Sequence, residues 1–431
     1  MSKGSRGGTI FALSSGSPPA AIAVVRISGP DAGRTLASLA GTLPEPRRAS
    51  LRRLFDPADG TPLDRALVLW FPGPETATGE DLGELHLHGG RAVVSAVLAA
   101  LDRDSRLSLA EPGQFTRRAF ENGRLDLVEA EGLADLLSAE TESQRRAALR
   151  IAEGVLSRRL EGWRQAVLTA AARIEAMLDF ADEDDVPEED EEGRGVALTL
   201  AGEIEALLRA PPAERLRDGV RVVIAGPPNA GKSTLLNRLA GRDAAITAAT
   251  AGTTRDVIEV PVTIGGTPFL LIDTAGLRDA EDEIEQIGVA RAEAAVATAD
   301  IVLWLGDDAA SRDDHIVAVH ARADLPGRHE APRDSVRVSA HTGEGLAELV
   351  VMMTDRARAL LPREDEMALN VRQRRALTDV MNNLRLCEAS ADPLVVAEAL
   401  RLARAALDCT TGRAGVEDML DALFGRFCIG K

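Results

Sequence analysis

The stretch Val220-Arg221-Val222-Val223-Ile224-Ala225-Gly226-Pro227-Pro228-Asn229-Ala230-Gly231-Lys232-Ser233-Thr234-Leu235-Leu236-Asn237-Arg238-Leu239 decides the fold. An apolar run, a glycine-rich turn and a helix-like pattern follow one another. In that context G-x-x-x-x-G-K-[ST] reads as a phosphate-binding loop. Backbone N–H groups of the turn and of the helix start would surround a β-phosphate. Lys232 would reach the β- and γ-phosphates and Ser233 would ligate Mg²⁺, with Asn229, Ala230, Gly231 and Thr234 lining the same loop.

Three segments downstream fall in the matching order. Phe269-Leu270-Leu271-Ile272 is an apolar strand ending in Asp273-Thr274-Ala275-Gly276. An Asp at that strand end can hold the Mg²⁺ shell, and the Gly amide can follow a γ-phosphate. Between the two motifs lies Gly252-Thr253-Thr254-Arg255-Asp256, a polar loop whose threonines suit a metal-closing switch. Ser339-Ala340, after the strand Val336-Arg337-Val338, stands where guanine-nucleotide proteins contact the base. The order predicts an α/β P-loop domain of the Ras-like GTPase type.

Two positions depart from that pattern. A guanine reader normally carries Asn-Lys-x-Asp, and the slot after Ile316-Val317-Ala318-Val319 reads Ala321-Arg322-Ala323-Asp324. Asp324 remains to accept from the guanine N1 and N2 hydrogens, and Arg322 can stack its plane over the base. The lost amide predicts guanine preference at an affinity about tenfold to a hundredfold lower. The position that usually holds a water-orienting Gln is Leu277, which neither donates nor accepts. Either hydrolysis is very slow or another side chain supplies the function. Asp279, Glu281, Asp282, Glu283 and Glu285 are nearby, and spacing does not choose among them. The positive charge of an arginine finger must also come from elsewhere; a monovalent cation on the side-chain oxygen of Asn229 is one source.

A chain of 431 residues suggests two to four domains. No run approaches the roughly 20 apolar residues that span a bilayer, and the N-terminus lacks a signal h-region, so no membrane insertion is expected. Cys387, Cys409 and Cys428 are unrelated in spacing, which fits free thiols in a reducing cytoplasm. A net charge of −18 argues against broad nucleic-acid affinity, so an RNA contact would need a local basic patch or a partner.

Residues 1–124 mix short strands with Gly/Pro turns, as in Ile22-Ala23-Val24-Val25 and Ala66-Leu67-Val68-Leu69-Trp70, an α+β pattern. From Leu125 the periodicity becomes helical, in stretches such as 134–160 and 168–178. Residues 182–192 form a dense acidic run expected to be a solvated loop. After the GTPase segment, 218–362, helical pattern returns over 369–423. Neither helical piece looks complete alone. The reading is therefore multidomain: an α+β domain, an all-α domain formed by 125–217 plus 363–431, and the GTPase domain inserted in it.

With these residues assembled, the chain resembles the MnmE (TrmE) family of tRNA-modification GTPases over essentially its whole length. The resemblance rests on Thr9-Ile10, Val25-Arg26-Ile27-Ser28-Gly29, Thr78-Gly79-Glu80-Asp81 and Glu84-Leu85-His86-Leu87-His88-Gly89-Gly90. It continues through Glu111-Pro112-Gly113-Gln114-Phe115-Thr116-Arg117-Arg118-Ala119-Phe120 and Asn122-Gly123-Arg124-Leu125-Asp126-Leu127, the GTPase motifs, and the terminal Phe427-Cys428-Ile429-Gly430-Lys431. It implies a K⁺ site made by Asn229, Thr253 and the carbonyls of Ala248 and Thr250, standing in for the arginine finger. It implies Mg²⁺ on Ser233 and Thr254, and Glu285 as the catalytic residue that positions water. Arg26, Glu84, Arg124 and the terminal Lys431 fall where the family contacts 5,10-methylene- or 5-formyl-tetrahydrofolate, though Ala77 and Gln114 differ from the family's usual aromatic and Glu.

Other implications concern chemistry and partners. Cys428 becomes a candidate nucleophile if a cation such as Lys431 lowers its pKa. The N-terminal domain would also dimerise, giving a homodimer that works with the flavoprotein MnmG (GidA), in a heterotetramer or larger complex. Together they would place an aminomethyl-type group, or its carboxymethyl form, on C5 of the wobble uridine, position 34, of tRNA. Two other classes stay open on the residues alone: a ribosome-assembly GTPase switch, and a folate-binding scaffold with a weakened GTPase module. His86 and His88, at i and i+2, share a strand face and raise the question of a metal.

Overall fold

In a computed structural model of the chain, the structure describes residues 8–179, 191–243, 258–274, 294–306, 313–328, 330–332, 334–363, 365–414, 417–425 and 427–431. The chain divides into two compact units. One comprises Met1–Ala134, Ile151–Ser157 and Asp408–Lys431; the other comprises Asp135–Arg150 and Arg158–Leu407.

The first unit is built on β1 (Thr9–Leu13), β2 (Ile22–Ser28), α1 (Ala32–Ala40), β3 (Ser50–Phe55), β4 (Pro62–Phe71), β5 (Leu82–His88), α2 (Arg91–Asp102), β6 (Leu107–Leu109) and α3 (Gln114–Glu121). Among the described residues six strands pair in the order β3-β4-β5-β2-β1-β6, antiparallel except for β1 with β6. The period of two in β2 sets its two faces. Ala23, Val25 and Ile27 are fully buried with Leu36 and Leu39 of α1 and Val94, Val97 and Leu101 of α2. Val24, Arg26 and Ser28 therefore point to the opposite face, where Ile10 and Ala12 of β1 bury against Phe115 of α3.

Helices α4 (Leu127–Ser138), α5 (Glu142–Ala152) and α6 (Val155–Asp179) follow. The continuous helix expected over 134–160 is thus broken twice. Before α5, Gln144 Oε1 accepts the N–H groups of Glu140 (2.9 Å) and Thr141 (2.8 Å), while Gln144 N–H donates to Thr141 Oγ1 (3.2 Å). This reciprocal cap satisfies orphan amides at a helix start and contributes about 1 kcal/mol. Gly154, at φ 75°, then turns the chain between α5 and α6.

The second unit continues with α7 (Glu191–Leu208), α8 (Ala213–Arg217), β7 (Val220–Ala225), α9 (Lys232–Asp243), β8 (Ile258–Ile264), β9 (Thr267–Asp273), β10 (Ile301–Trp304), β11 (Ile316–His320), β12 (Val336–Arg337), α10 (Leu346–Leu360), α11 (Val371–Ala389) and α12 (Pro393–Thr411), the last crossing into the first unit. The acidic run departs from its expectation at one end. Residues 180–190 lie outside the described residues, but Glu191 and Glu192 form the first turn of α7 rather than a loop. Carboxylates suit the positive end of a helix dipole.

Among the described residues, the sheet of this unit has the order β12-β11-β10-β7-β9-β8, parallel throughout except for the edge strand β8. Its central strand β7 is apolar on both faces because both are covered. Val220, Val222 and Ile224 pack with Leu235, Leu239, Leu346, Leu349 and Met353; Val223 and Ala225 pack with Ile272 and Val302 on the other side. Ligands bind such sheets beyond the carboxyl ends of the strands, where the strand order reverses. Here that place is the end of β7, flanked by β9 and β10.

The chain enters and leaves this α/β domain side by side. Ala213 N–H donates to Leu369 O (3.0 Å) and Val371 N–H donates to Glu214 Oε1 (2.8 Å). Arg374 donates to Leu208 O (2.6 Å), the last carbonyl of α7, and to Ala210 O (2.9 Å) just beyond it, and Asn370 with Gln373 forms a capping box on α11. Joined ends are what an inserted domain requires.

The final helix, α13 (Glu417–Phe424), returns to the first unit. Phe424 packs 6.2 Å from Phe120 and 6.1 Å from Phe427 between ring centroids, with Leu127 and Leu420 in the same cluster, and Arg117 pairs with Asp421 at 2.7 Å. Gly113 (φ 71°) makes this fit possible: a Cβ there would lie 2.2 Å from Phe424 O.

Candidate functional site

At the end of β7 the backbone is shaped for an anion. Gly226, Asn229 and Gly231 have φ values of 145°, 58° and 97°. Left-handed residues interspersed in a turn are the backbone pattern of anion-binding nests, and Asn is among the few side chains that tolerate the region. Helix α9 begins at Lys232, so its dipole adds to the same positive field. The Lys232 ammonium is buried and donates to Gly226 O (3.1 Å) and Pro227 O (2.9 Å), holding it over the loop. Ser233 Oγ donates to Asp273 Oδ2 at 2.6 Å, so β7–α9 and the end of β9 meet in a pair of hard oxygens. That donor set fits Mg²⁺, which favours hydroxyl and carboxylate oxygen beside phosphate.

Thr274 behaves differently from its neighbour. Its hydroxyl donates to Ile224 O at 2.9 Å and is buried, so it ties β9 to β7. Ala248, Thr250, Thr253, Thr254, Ala275, Gly276, Leu277 and Glu285 lie outside the described residues.

A pocket of about 250 Å³ opens beside the loop. Ala230, Gly231 and Thr234 form one wall and Arg322, Asp324 and Ala340 another. Three separate segments thus bring together residues expected to bind one nucleotide. Arg322 is exposed with φ 59°, and its side chain runs past Gly231, where a Cβ would lie 3.6 Å from Arg322 Nε. Ser339 Oγ donates to Asp324 Oδ1 at 2.6 Å, and Thr342 N–H donates to Ser339 Oγ at 3.1 Å. The Ser339 hydroxyl holds the Asp324 carboxyl below the usual carboxylate range. A fixed, ionised carboxylate is the acceptor that the guanine N1–H and N2 amine need. Ser339 therefore holds Asp324 in place. His341, which also lines the pocket, was not singled out by sequence; its place directly after Ser339-Ala340 is the signal that could have found it.

On the open face of the first sheet, Arg26 and Glu84 are cross-strand partners in the β2–β5 register. Arg26 donates to Glu84 Oε1 through Nε (3.2 Å) and Nη2 (2.9 Å), while His86 Nε2 stands 3.1 Å from Glu84 Oε2. Burial alone pushes the Glu84 carboxyl up; the bonds from His86 and Arg26 outweigh it and hold it below the ordinary value. The Arg26 guanidinium also stands 6.0 Å over the Phe115 ring. His86 and His88 share the face but serve different carboxylates, for His88 Nδ1 bonds Asp64 at 2.7 Å. Arg124 meets Glu75 at 3.7 Å, on the turn that carries Thr78-Gly79.

The terminal residues are fixed against the same unit. Ile429 bridges Pro112, and a Cβ on Gly430 would lie 2.2 Å from Leu13 O, one residue from the position paired with Arg26. Lys431 N–H donates to Cys428 O at 3.2 Å, and the Cys428 side chain is exposed. A carboxylate acceptor and a guanidinium donor side by side suit a flat heterocycle with donors and acceptors on its edge, as a pterin has, while the buried Phe115 ring backs the guanidinium from the core.

A buried network that sequence reading left without a role lies beside this face. Arg118 Nη1 donates to Glu80 Oε2 (2.8 Å) and Ser28 O (3.2 Å), its Nη2 donates to Gly8 O (2.7 Å), and Ser28 Oγ donates to Glu80 Oε2 (2.9 Å). Thr78 Oγ1 lies 2.7 Å from Ser28 Oγ. The motifs around Thr78-Gly79-Glu80-Asp81 and Arg117-Arg118 are thereby a cross-link between β2, the turn before β5, and α3.

The parallel sheet, inward-turned loop, buried lysine and Ser233–Asp273 pair define a P-loop GTPase domain. Family models described as "GTP-binding protein TrmE N-terminus" and "MnmE helical domain" match residues 9–124 and 127–428. The chain is 59% identical over 426 residues to the tRNA modification GTPase MnmE of Rhizorhabdus wittichii, covering 98% of this chain and 96% of that protein. It is 56% identical to the protein of the same name from Novosphingobium aromaticivorans, covering 98% and 99%. A solved structure, the G domain of the T. maritima FeoB iron transporter, is 26% identical and covers 32% of this chain and 98% of that one, with a TM-score of 0.25. The chain belongs to the MnmE family of tRNA modification GTPases, and is a GTP hydrolase of multidomain α+β, all-α and inserted α/β architecture. No helix among the described residues is long and apolar enough to cross a membrane.

Proposed function

We propose that the chain is a K⁺-activated GTPase whose nucleotide cycle serves modification at C5 of the wobble uridine, position 34, of tRNA, in partnership with the flavoprotein MnmG. The observation that carries the nucleotide half is the pocket that joins Ala230, Gly231 and Thr234 to Arg322 and Asp324, together with two short oxygen pairs, Ser233–Asp273 at 2.6 Å and Ser339–Asp324 at 2.6 Å. The first suits the phosphate and metal end, and the second fixes the acceptor at the base end. Ser233 and Thr254 would hold Mg²⁺, which supplies positive charge to the β- and γ-phosphate oxygens. Asn229, Thr253 and the carbonyls of Ala248 and Thr250 would hold K⁺, supplying the charge that an arginine finger gives elsewhere. Lys232 would exchange its loop carbonyls for phosphate oxygens, and Glu285 would orient the attacking water in place of the mute Leu277.

The first sheet supports the one-carbon half. Arg26, Glu84, Arg124 and Lys431 would contact a tetrahydrofolate carrying the 5,10-methylene or 5-formyl group. We place the working domains at 1–124, 125–217 plus 363–431, and 218–362, with 1–124 also forming the homodimer. That homodimer, joined with MnmG in a heterotetramer or larger complex, would present the folate to tRNA. Cys428, exposed as Cys409 also is, lies within a backbone hydrogen bond of Lys431 and would be the thiol for a covalent step. A cytoplasmic location follows from the tRNA substrate. Membership of a family named for tRNA modification favours this reading over a ribosome-assembly switch or a folate-binding scaffold.

The test is complementation of a bacterial strain lacking its MnmE relative, read by mass analysis of tRNA nucleosides. Restoration of the C5-modified wobble uridine by the chain, and its loss with Glu285→Ala, is expected. Unmodified uridine with the wild-type chain would overturn the tRNA assignment; full modification with Glu285→Ala would remove the catalytic role.

A further inference from the structure

Ala321 lacks the amide that a guanine reader ordinarily carries at this place, yet the segment around it is held by a device of its own. Two successive turns follow β11. Leu325 N–H donates to Arg322 O (3.0 Å) and Arg328 N–H donates to Leu325 O (3.2 Å), which bring Arg328 back to the end of the strand. There Arg328 Nε donates to Ala321 O at 2.9 Å and Nη2 donates to His320 Nδ1 at 3.4 Å. His320 Nε2 in turn donates to Arg328 O at 3.1 Å.

This pattern specifies the imidazole tautomer. A carbonyl cannot donate and a guanidinium cannot accept, so Nε2 carries the proton and Nδ1 accepts. His320 is 6% exposed and Arg328 half-buried, so the imidazole end of the lock is buried while Arg322 and Asp324 face the pocket. From the other side Ala323 N–H donates to Val338 O (3.2 Å) and Ser339 holds Asp324. The base-reading segment is clamped at both ends, and one clamp is a side chain four residues beyond Asp324 that does not line the pocket.

We propose that Arg328 is a positioning residue for guanine recognition, fixing Ala321–Asp324 for the base in place of the side-chain amide that Ala321 lacks. The proposal rests on reading Arg322 and Asp324 as the base contacts. A recognition segment that is already ordered loses less conformational freedom on binding, so a brace raises affinity without touching the ligand. An Asn side chain at this position would reach across the pocket edge shared with Ala230 and Gly231, and would supply a tie of its own. The two devices are therefore alternatives, and their effects should not add.

The experiment measures the Kd of a fluorescent GDP analogue for the full chain, Arg328→Ala, Ala321→Asn and the double variant. Arg328→Ala is expected to weaken binding about tenfold in the wild-type background and less than about threefold in the Ala321→Asn background. GTP turnover should show a raised KM and an unchanged kcat at saturation. An equal loss in both backgrounds, or wild-type affinity in Arg328→Ala, overturns the proposal. Asp324→Ala separates the two levels: if it binds as wild type, the base-site reading fails, and if it binds weakly while Arg328→Ala does not, only the brace fails. Should Arg328→Ala not fold, Arg328→Lys takes its place, because an ammonium cannot bridge both acceptors with one planar fork. It is expected to lose affinity in the wild-type background and none in the Ala321→Asn background; wild-type binding in both would overturn the brace.

Discussion

The phosphate loop and the open face of the N-terminal sheet both gather charged side chains, but they leave them in different states. At the loop, Lys232 rests on the carbonyls of its own turn, Ser233 rests on Asp273, and Gly226, Asn229 and Gly231 take left-handed φ values. Those contacts are polar and exchangeable for phosphate and metal. On the sheet, Arg26 is already matched to Glu84 by two bonds, and Glu84 to His86. A site for a highly charged ligand stores its charge in groups that can be re-partnered. A face whose charges are held against one another offers a ligand only their edges.

The contrast breaks first at Lys232. Lys232→Ala removes the cation that would follow charge onto the γ-phosphate, and kcat/KM for GTP is expected to fall about 10³-fold. A loss smaller than tenfold in steady-state hydrolysis would show that the loop is not the phosphate site. The corresponding structural dependence of the sheet side is Gly113. Gly113→Ala forces a Cβ against Phe424 O at a left-handed position and is expected to cost about 3 kcal/mol by urea denaturation. A change below about 0.5 kcal/mol, the size of a neutral surface substitution, would mean that the C-terminal segment does not depend on that approach.

How much of this was readable from sequence differs between the regions for a physical reason. The loop is local: nine consecutive residues fix the turn, the lysine and the metal hydroxyl, so strand, loop and helix are legible in the sequence alone. Asp273 and Asp324 were found too, because each follows an apolar strand with its own short motif. The Ser339–Asp324 contact, the Arg328 lock and the Arg118–Glu80–Ser28 link join residues far apart in the chain, and only strand register and turn geometry bring them together. Arg26 and Glu84 stand in the sequence only as separate positions that a family resemblance implies; that they are partners, 58 residues apart, is set by the β2–β5 pairing. The helix breaks at Thr141 and Gly154 were missed because Ala/Leu/Arg periodicity continues across them while one cap and one left-handed glycine decide the boundary.

A smaller effect sharpens the base end of the nucleotide site. Asp324→Asn replaces an acceptor by a group that donates, and guanine nucleotide is expected to bind about tenfold to a hundredfold more weakly, with xanthine nucleotide, whose C2 carbonyl accepts, gaining. Competition against a fluorescent GDP analogue reads both; unchanged guanine preference would detach Asp324 from the base. The smallest expected effect concerns pH and the sheet. The folded-state pKa of Glu84 is depressed, so its stabilisation is complete above the ordinary value, about 4.3, and is lost as pH falls through the folded one. Glu84→Gln removes that component, and its melting temperature should fall less steeply than the wild type's on acidification below about pH 5. Parallel curves would show that the Arg26–Glu84–His86 group does not contribute.

The central claim is that the loop is built to receive ions as well as phosphate, with Asn229 holding a K⁺ that replaces an arginine finger. It is tested most directly by steady-state GTP hydrolysis in equimolar KCl and NaCl, for the wild type and Asn229→Ala. The account predicts turnover at least about tenfold faster in K⁺ for the wild type, and a rate in Asn229→Ala that is low and indifferent to the salt. Equal wild-type rates in the two salts would contradict it.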